Sequence, residues 1–218
     1  MILQDRLKEL KELAKKAIDK PAAFGEDIDL SKYPTKEDTE YGKISSIKDI
    51  DDDYKKSLLN AGIDIEEKER SGSYLQIDNE VIYSKAFDNV EIMPISKALE
   101  KYDWLINYYW KAVKVDMDKY TARAELERTD GYFIRVPKGV KVKMPVQACL
   151  FIGSENTSQN VHNIIIVEEN AELHVITGCA TAPHVKSGLH IGISEFYIKK
   201  NGKLTFTMIH NWGEKCPC

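Results

Sequence analysis

The sequence has no excess of basic residues and no long apolar run, and both absences narrow the possible functions. Its 218 residues carry 31 Lys and Arg against 35 Asp and Glu, a formal net charge of -4. Nucleic-acid-binding domains usually present a basic face, so we expect no nucleic-acid partner. No apolar segment approaches the length of a membrane-spanning helix, and the N-terminus lacks the apolar region of a signal peptide. We therefore expect a cytoplasmic protein that does not associate with a membrane.

Cysteine is also scarce, and its few positions lie in the second half of the chain. The four cysteines are Cys149, Cys179, Cys216 and Cys218. In a cytoplasmic protein they are expected to be thiols, metal ligands or sulfur carriers rather than disulfides. Hydrophobic residues make up 43% of the chain and charged residues 30%, which is typical of a globular protein with one large domain or two small ones.

The two halves of the chain differ in the secondary structure that their residue patterns predict. Residues 1–20 place apolar residues near a 3.6-residue period, which predicts an amphipathic helix that Pro21 ends. Residues 95–111 form a second helical run, rich in aromatic residues, and we expect it to be a docking face rather than a cofactor site. From about Thr121 onward, β-branched and aromatic strand segments dominate. The sequence thus predicts a helical and mixed N-terminal region over residues 1–120 and a β-rich core over residues 121–218.

The β-rich half contains a segment that recurs at a fixed offset. Val136–Val142, Val167–Leu173 and Ile198–Leu204 each begin 31 residues after the previous copy. Each copy has an apolar residue first, Gly or Asn in a turn-prone middle, and a charged residue before the closing apolar one. A fixed period of this size is typical of repeat architectures, in which each unit buries its apolar face against a neighbour.

This repeat predicts the fold class. Strand-like runs precede and follow each turn, so each 31-residue unit holds two strand regions. We expect an α+β, mainly β protein, with an N-terminal helical region followed by a parallel β-helix, or β-solenoid, core. The alternative is three ordinary hairpins in a sandwich, which the recurrence of the register makes less favourable.

Several motifs in order along the second half resemble those of the SufB/SufD family, the scaffolds of SUF iron–sulfur cluster assembly. The matching segments are Lys101–Trp104, Gly131–Pro145, Ser154–Gln159, Gly178–Pro183, Leu189–His190 and Ile209–Trp212. One matching segment alone would be weak evidence for the family. Several segments in the family's order, from about residue 100 to residue 212, are specific evidence. The resemblance is to an archaeal-type, SufB-like member that is short at its C-terminal end, so that residues 121–218 correspond to a truncated core.

The resemblance implies a function as well as a parallel β-helix core. It implies a non-enzymatic scaffold that accepts sulfur on a cysteine and helps to build and transfer a transient [4Fe-4S] or [2Fe-2S] cluster. The implied partners are a SufC-like ATPase, a SufB/SufD-like partner or a second copy, and a cysteine desulfurase or other sulfur donor. Two positions depart from the family pattern: His210 stands where Gln is usual, and Phe151 replaces a polar position on the family's internal path.

Cys179 is the expected sulfur acceptor, because it matches the family's persulfide-accepting cysteine. We expect it at a turn that follows a strand over residues 173–177. Sulfur transfer requires a thiolate, so nearby cations should favour the charged form, and His184 and His190 are candidates in sequence. The alternative is an inert cysteine buried in the core, the role that we expect for Cys149.

The remaining candidate residues are His190, His210 and Trp212, together with two cysteines at the end of the chain. A neutral imidazole can ligate iron, although a histidine in a strand is also commonly structural. Trp212 belongs to the last matching segment. Cys216 and Cys218, with Cys179, are candidate metal ligands, since thiolates hold iron–sulfur clusters. The C-P-C spacing is not the common C-x2-C pattern, so these two cysteines can equally have no metal role.

Two other functions remain open from the sequence. The chain can be a SufD-like structural partner that carries no cluster of its own. Less favoured is a β-helix carbohydrate-active enzyme, which would need a cluster of catalytic carboxylates. The charged residue of each repeat instead alternates in sign, as Lys141, Glu172 and Lys203, which predicts a ladder of solvent-facing ion pairs.

Overall fold

The structure, a computed structural model, describes residues 2–35 and 40–213. Its helices are α1 (Ile2–Lys15), α2 (Asp52–Asn60), α3 (Ile95–Lys101) and α4 (Lys119–Leu126). Short 3-10 helices occupy Leu30–Lys32, Ile47–Asp49 and Asp103–Asn107. Among the described residues no helix combines the length and apolar character needed to cross a bilayer.

Side-chain caps fix where two of these helices begin. The Asp51 carboxylate accepts a hydrogen bond from the backbone N–H of Asp53 at the start of α2. Asp118 and Thr121 form a reciprocal capping box at the start of α4. Both caps satisfy backbone N–H groups that a helix N-terminus leaves without an intrahelical partner.

Nine strands form two sheets. The strands are β1 (Gly72–Ile77), β2 (Glu80–Ala86), β3 (Glu91–Pro94), β4 (Tyr132–Val136), β5 (Val146–Ile152), β6 (Thr157–Val167), β7 (Glu172–Thr181), β8 (Gly188–Ile198) and β9 (Lys203–Asn211). One sheet has the order β2-β1-β5-β7-β9 and the other β3-β4-β6-β8. From β4 onward, successive strands therefore alternate between the two sheets.

The 31-residue offset is present as strand register. Val136 pairs with Val167, and Val167 pairs with Ile198, across the parallel strands β4, β6 and β8. The turn after each of these strands contains a residue with positive φ: Gly139 at 75°, Asn170 at 57° and Asn201 at 57°. Glycine and asparagine tolerate this left-handed conformation better than other residues, which explains why the middle of the repeat is restricted to them.

The predicted ion-pair ladder also follows the register. The Glu172 carboxylate lies 2.8 Å from the Lys141 ammonium and 3.5 Å from that of Lys203. The three side chains are partly or largely exposed, so water screens both pairs and their contribution to stability is small.

The prediction of a parallel β-helix is wrong. The structure is an α/β fold with two mixed sheets, because β2 pairs antiparallel with β1 and β3 pairs antiparallel with β4. The repeat misled the prediction because it covers only part of each sheet, and β1, from the non-repetitive region, pairs directly with β5. Ile198, the first residue of the third copy of the repeat, is 50% exposed.

Three apolar clusters hold the layers together. The first lies between the two sheets and includes Val146, Ile165 and Val175. The second packs α1, α3, α4 and the aromatic segment, including Tyr109 and Trp110, onto the outer face of the four-stranded sheet. The third packs residues 41–65, with α2, onto the outer face of the five-stranded sheet. Both sheets are therefore largely buried on two faces, which suits their apolar parallel strands.

Candidate functional site

Cys179 lies near the end of β7 and faces the space between the two sheets. Its neighbours in register are Leu150 on β5 and His210 on β9. It belongs to the inter-sheet cluster with Leu173 and Val175, as side chains of alternate residues on one strand face must. The expectation that Cys179 sits at a turn is wrong, since β7 continues to Thr181 and the thiol is only 1% exposed.

Cys149 lies on the neighbouring strand but in a different cluster. It is fully buried on the outer side of the five-stranded sheet, where the core role expected for it is confirmed. Burial, and to a smaller extent the nearby Cys179, raises the pKa of the Cys149 thiol well above its usual range. Cys149 therefore stays protonated and is a poor nucleophile.

His190 lies on β8, across the inter-sheet space from β7 and β9. It is 9% exposed, and its Nδ1 lies 3.0 Å from Oε1 of Gln159. Burial, and secondly the nearby His210, lowers the pKa of His190 to about 3. The ring is therefore neutral near physiological pH, when one of its nitrogens has a lone pair to offer.

The ring of Trp212 lies close to those of His190 and His210. Its ring centroid lies 5.1 Å from that of His190 and 5.8 Å from that of His210. The indole N–H is buried and has no hydrogen-bond partner among the residues that the structure describes. A buried donor of this kind favours a ligand that accepts a hydrogen bond, because leaving it unsatisfied costs about 1–3 kcal/mol.

The structure thus brings Cys179, His190, His210 and Trp212 to one end of the inter-sheet space. His184, the other cation considered for Cys179, lies elsewhere: its ring is 6.5 Å from that of Tyr54. Its Nε2 lies 3.0 Å from the carbonyl oxygen of Gly153. Phe151, which replaces a polar position of the family's path, packs in the outer cluster with Cys149.

A surface pocket lies on the helical side of the four-stranded sheet, over the part of β8 that contains His190. Its volume is about 480 Å³, and His190 and Gly192 line it together with Phe24, Ile28 and Tyr120. An ideal Cβ at Gly192 would lie 2.8 Å from Nε2 of His190. Only glycine therefore leaves the His190 ring in this position without a shift of its neighbours.

The donor atoms at the site are a thiol sulfur and imidazole nitrogens, which suit iron chemically. Within residues 2–35 and 40–213, however, no three His, Cys, Asp or Glu side chains converge closely enough to hold a metal ion. Cys216 and Cys218 lie outside the described residues. The described part of the site can therefore offer ligands to iron but does not form a complete ligand set.

The residue that sequence reasoning missed is Gln159. It is fully buried on β6 and contacts His190 directly. It stands 31 residues before His190, so the period found in the turns also predicts that the two are neighbours. Counting 31 residues back from His190 would therefore have identified Gln159 from the sequence.

The chain is similar to proteins of one known family. The family model for the SufBD core domain of SUF-system FeS cluster assembly matches residues 150–216. An iron–sulfur cluster assembly SufBD family protein of Methanothermobacter thermautotrophicus is 48% identical over 219 residues, which cover 98% of this chain and 52% of that protein. One of Archaeoglobus fulgidus is 47% identical over 174 residues, 79% of this chain and 45% of that protein.

A bacterial relative extends the likeness. The iron–sulfur cluster assembly protein SufB of Bacillus subtilis is 32% identical over 171 residues, covering 75% of this chain and 37% of that protein. The chain spans about half the length of the archaeal relatives it matches. The matched family model, the identity over nearly all of this chain and the ordered motifs lead to one conclusion: the chain belongs to the SufBD family of iron–sulfur cluster assembly proteins.

Proposed function

We propose that this chain is a scaffold component of SUF-type iron–sulfur cluster assembly, which accepts sulfur on Cys179 and helps to build and pass on a nascent cluster. The observation that carries this proposal is the convergence of Cys179, His190, His210 and Trp212 at one end of the inter-sheet space. The role is one of binding and transfer in the cytoplasm rather than of catalytic turnover.

The sulfur-transfer step is a thiol–persulfide exchange. The Cys179 thiolate attacks the outer sulfur of a persulfide on a cysteine desulfurase, a new S–S bond forms at Cys179, and the donor's thiolate leaves as its own S–S bond breaks. The product is a Cys179 persulfide, and no external oxidant or reductant is needed. The indole N–H of Trp212 is a buried donor that can stabilise an anionic sulfur at this site.

The burial of Cys179 constrains how sulfur arrives. With 1% of Cys179 exposed, a donor cannot reach its sulfur unless the end of the sheets opens or another thiol relays the sulfur inward. Cys216 and Cys218 are the candidates for such a relay, as they follow β9 in sequence. They are also the candidate additional ligands of a transient [4Fe-4S] or [2Fe-2S] cargo.

The proposed partners include a second SufB/SufD-like chain, or a second copy, and a SufC-like ATPase. In the described part of the chain, β8 and β9 are the last strands of their sheets, and edge strands offer backbone groups for pairing. Ile198 and Met208 on these strands are about half exposed, which favours an apolar contact there. Light scattering across a concentration range, alone and with the ATPase, tests this; a strict monomer in every mixture would contradict it.

Substitution of cysteines tests the acceptor. The full chain is incubated with a cysteine desulfurase and labelled cysteine, and the sulfane sulfur bound per chain is counted. Cys179→Ser should lose sulfur loading, because the hydroxyl cannot form a persulfide. Cys149→Ser is the matched control: it changes a buried thiol on the adjacent strand, and it should load normally.

The result also decides between the acceptors. If Cys179→Ser loads at the normal rate, Cys179 is not the acceptor. The double substitution Cys216→Ser and Cys218→Ser then shows whether the terminal thiols take the sulfur. If that variant also loads normally, the sulfur-accepting role proposed for this chain is wrong.

A further inference from the structure

Ile152 lies between Cys179 and the nearest end of the sheets. It is the last residue of β5 and pairs in register with Thr181, whereas Leu150 pairs with Cys179. Leu150 and Cys179 both belong to the inter-sheet cluster. Side chains two residues apart on a strand point to the same face, so Ile152 follows Leu150 on the face that lines the inter-sheet space, one layer nearer the strand ends.

The Ile152 side chain reaches the other sheet. An ideal Cβ at Gly188, the first residue of β8, would lie 3.2 Å from Cγ2 and 3.5 Å from Cδ1 of Ile152. β8 belongs to the four-stranded sheet and β5 to the five-stranded sheet. Ile152 is fully buried, and it shares an apolar cluster with Ala182 and Val185, which follow β7. In the described part of the chain it therefore fills the gap between the sheets at this end, and a close-packed interior leaves no path past it.

The turn that follows β5, residues 153–156, is held by side chains from two other segments. Oδ1 of Asp78 accepts hydrogen bonds from the backbone N–H of Gly153 at 2.9 Å and of Ser154 at 3.4 Å. The Tyr41 hydroxyl donates to Oδ2 of the same carboxylate at 2.6 Å. The strand pairing of β5 with β7 ends before this turn. Displacing the turn therefore breaks local contacts and leaves the sheet intact, which is the kind of opening that costs least.

We propose that Ile152 is the residue that gates access to Cys179, so that a sulfur donor reaches the thiol from this end of the sheets when Ile152 and the turn behind it move aside. The gate admits a sulfur atom at the tip of an extended donor segment, and it excludes bulkier thiol-reactive groups. The inference deepens the proposed function, on which it rests for the identity of the incoming group as persulfide sulfur.

Thiol labelling of the full chain measures access to Cys179 directly, with the labelled cysteine identified by mass spectrometry. The probes are methyl methanethiosulfonate, which is small, and a maleimide attached to a polyethylene glycol chain, which is bulky. Ile152→Ala should raise the rate at which the small probe labels Cys179 by about tenfold or more, because truncation of a core side chain makes local opening easier. The bulky probe should gain much less, since the vacated volume is small.

Cys149 is the control within the same chain, because it is fully buried on the outer side of the five-stranded sheet. The measured quantity is the ratio of the Cys179 to the Cys149 labelling rate, which unfolding of the whole protein does not change selectively. Ile165→Ala is the matched variant, since Ile165 is also a fully buried residue of the inter-sheet cluster but lies near the opposite end of β6. The ratio should rise above that of the wild type in Ile152→Ala and stay unchanged in Ile165→Ala. An unchanged ratio in Ile152→Ala, or an equal rise in both variants, would refute the gate.

Two milder variants keep the test decisive if Ile152→Ala does not fold. Ile152→Val shortens the side chain by one methyl group and should raise the ratio in the same direction by less. Tyr41→Phe removes the hydroxyl that binds Asp78 and should raise it as well, because the turn is then held less firmly. A ratio equal to that of the wild type in both folded variants would overturn the inference.

Failure of this inference is distinguishable from failure of the proposed function. If Cys179 takes up sulfur from the desulfurase but its labelling does not depend on Ile152, the scaffold proposal stands and the gate is wrong. If labelling of Cys179 depends on Ile152 while Cys179→Ser loads sulfur normally, the gate exists and the sulfur-accepting role is wrong.

Discussion

His190 should make this protein lose stability in mild acid. Its pKa is lowered to about 3 in the folded state, first by burial and then by His210, against an ordinary value of 6.5. Between these two values the unfolded chain binds a proton that the folded chain excludes, so the free energy of unfolding falls as the pH drops from about 6.5 toward 3. From pH 7 to pH 4, His190 alone should remove roughly 3 kcal/mol.

His190→Gln isolates this contribution. A glutamine cannot be protonated in this range, and its amide can still donate to Oε1 of Gln159. Urea unfolding of wild type and variant at pH 7, 5 and 4 gives the difference in their free energies of unfolding. Titrating groups that do not interact with His190 contribute equally to both proteins and cancel in the difference. Between pH 7 and pH 4, the free energy of unfolding of the variant relative to that of the wild type should rise by roughly 3 kcal/mol.

His174→Gln is the control, because His174 is a partly exposed histidine on β7 whose Nε2 contacts Thr207. This variant also removes one imidazole, so it controls for the loss of a histidine as such. If wild type and His190→Gln lose stability with the same pH slope, His190 is not held neutral by burial, and the neutral ring described at this site is incorrect.

Substitutions at three further positions test the framework of the fold. Asn170→Ala should lower the free energy of unfolding by about 1 kcal/mol, since Asn170 has φ of 57°, whereas Asn170→Gly should be nearly neutral; thermal unfolding measures both. Glu195→Gln should cost about 1.5–3 kcal/mol in urea unfolding, because burial lowers the pKa of His162 and its 2.8 Å contact with Glu195 is a buried hydrogen bond to a carboxylate. Lys141→Ala should change the free energy of unfolding only slightly at low salt and still less at high salt, as its pair with Glu172 is exposed.

The sequence allowed the register of the second half to be predicted, for a local reason. The turn after each repeated strand needs a left-handed residue, so Gly139, Asn170 and Asn201 recur at the interval that the paired strands require. The same offset places His210 beside Cys179, as the paired strands show. Where a left-handed backbone conformation restricts a turn to Gly or Asn, the spacing of these residues in the sequence predicts which residues pair between strands.

Which strands belong to each sheet could not be predicted in the same way. Residues 72–77 form β1 and pair with β5, although they share no motif with the repeat. Their place depends on contacts between residues about 74 positions apart, such as Gly72 with Val146, which no local pattern encodes. The irregular composition of residues 180–184 predicts a turn beside Cys179, but pairing with β5 extends β7 to Thr181. Tertiary pairing overrode the local preference.

The arrangement of the candidate site depends on the pairing register of its strands. Side chains alternate between the two faces of a strand, so a slip of one residue in β7 would move Cys179 from the inter-sheet cluster to the outer one, where Cys149 lies. The pairing of Gln159 with His190 depends equally on the register of β6 with β8. The left-handed turn residues that fix these registers lie far from the thiol, yet they determine whether it meets the histidines. A substitution at the turn of Asn170 is therefore expected to affect the site through the register of its strands.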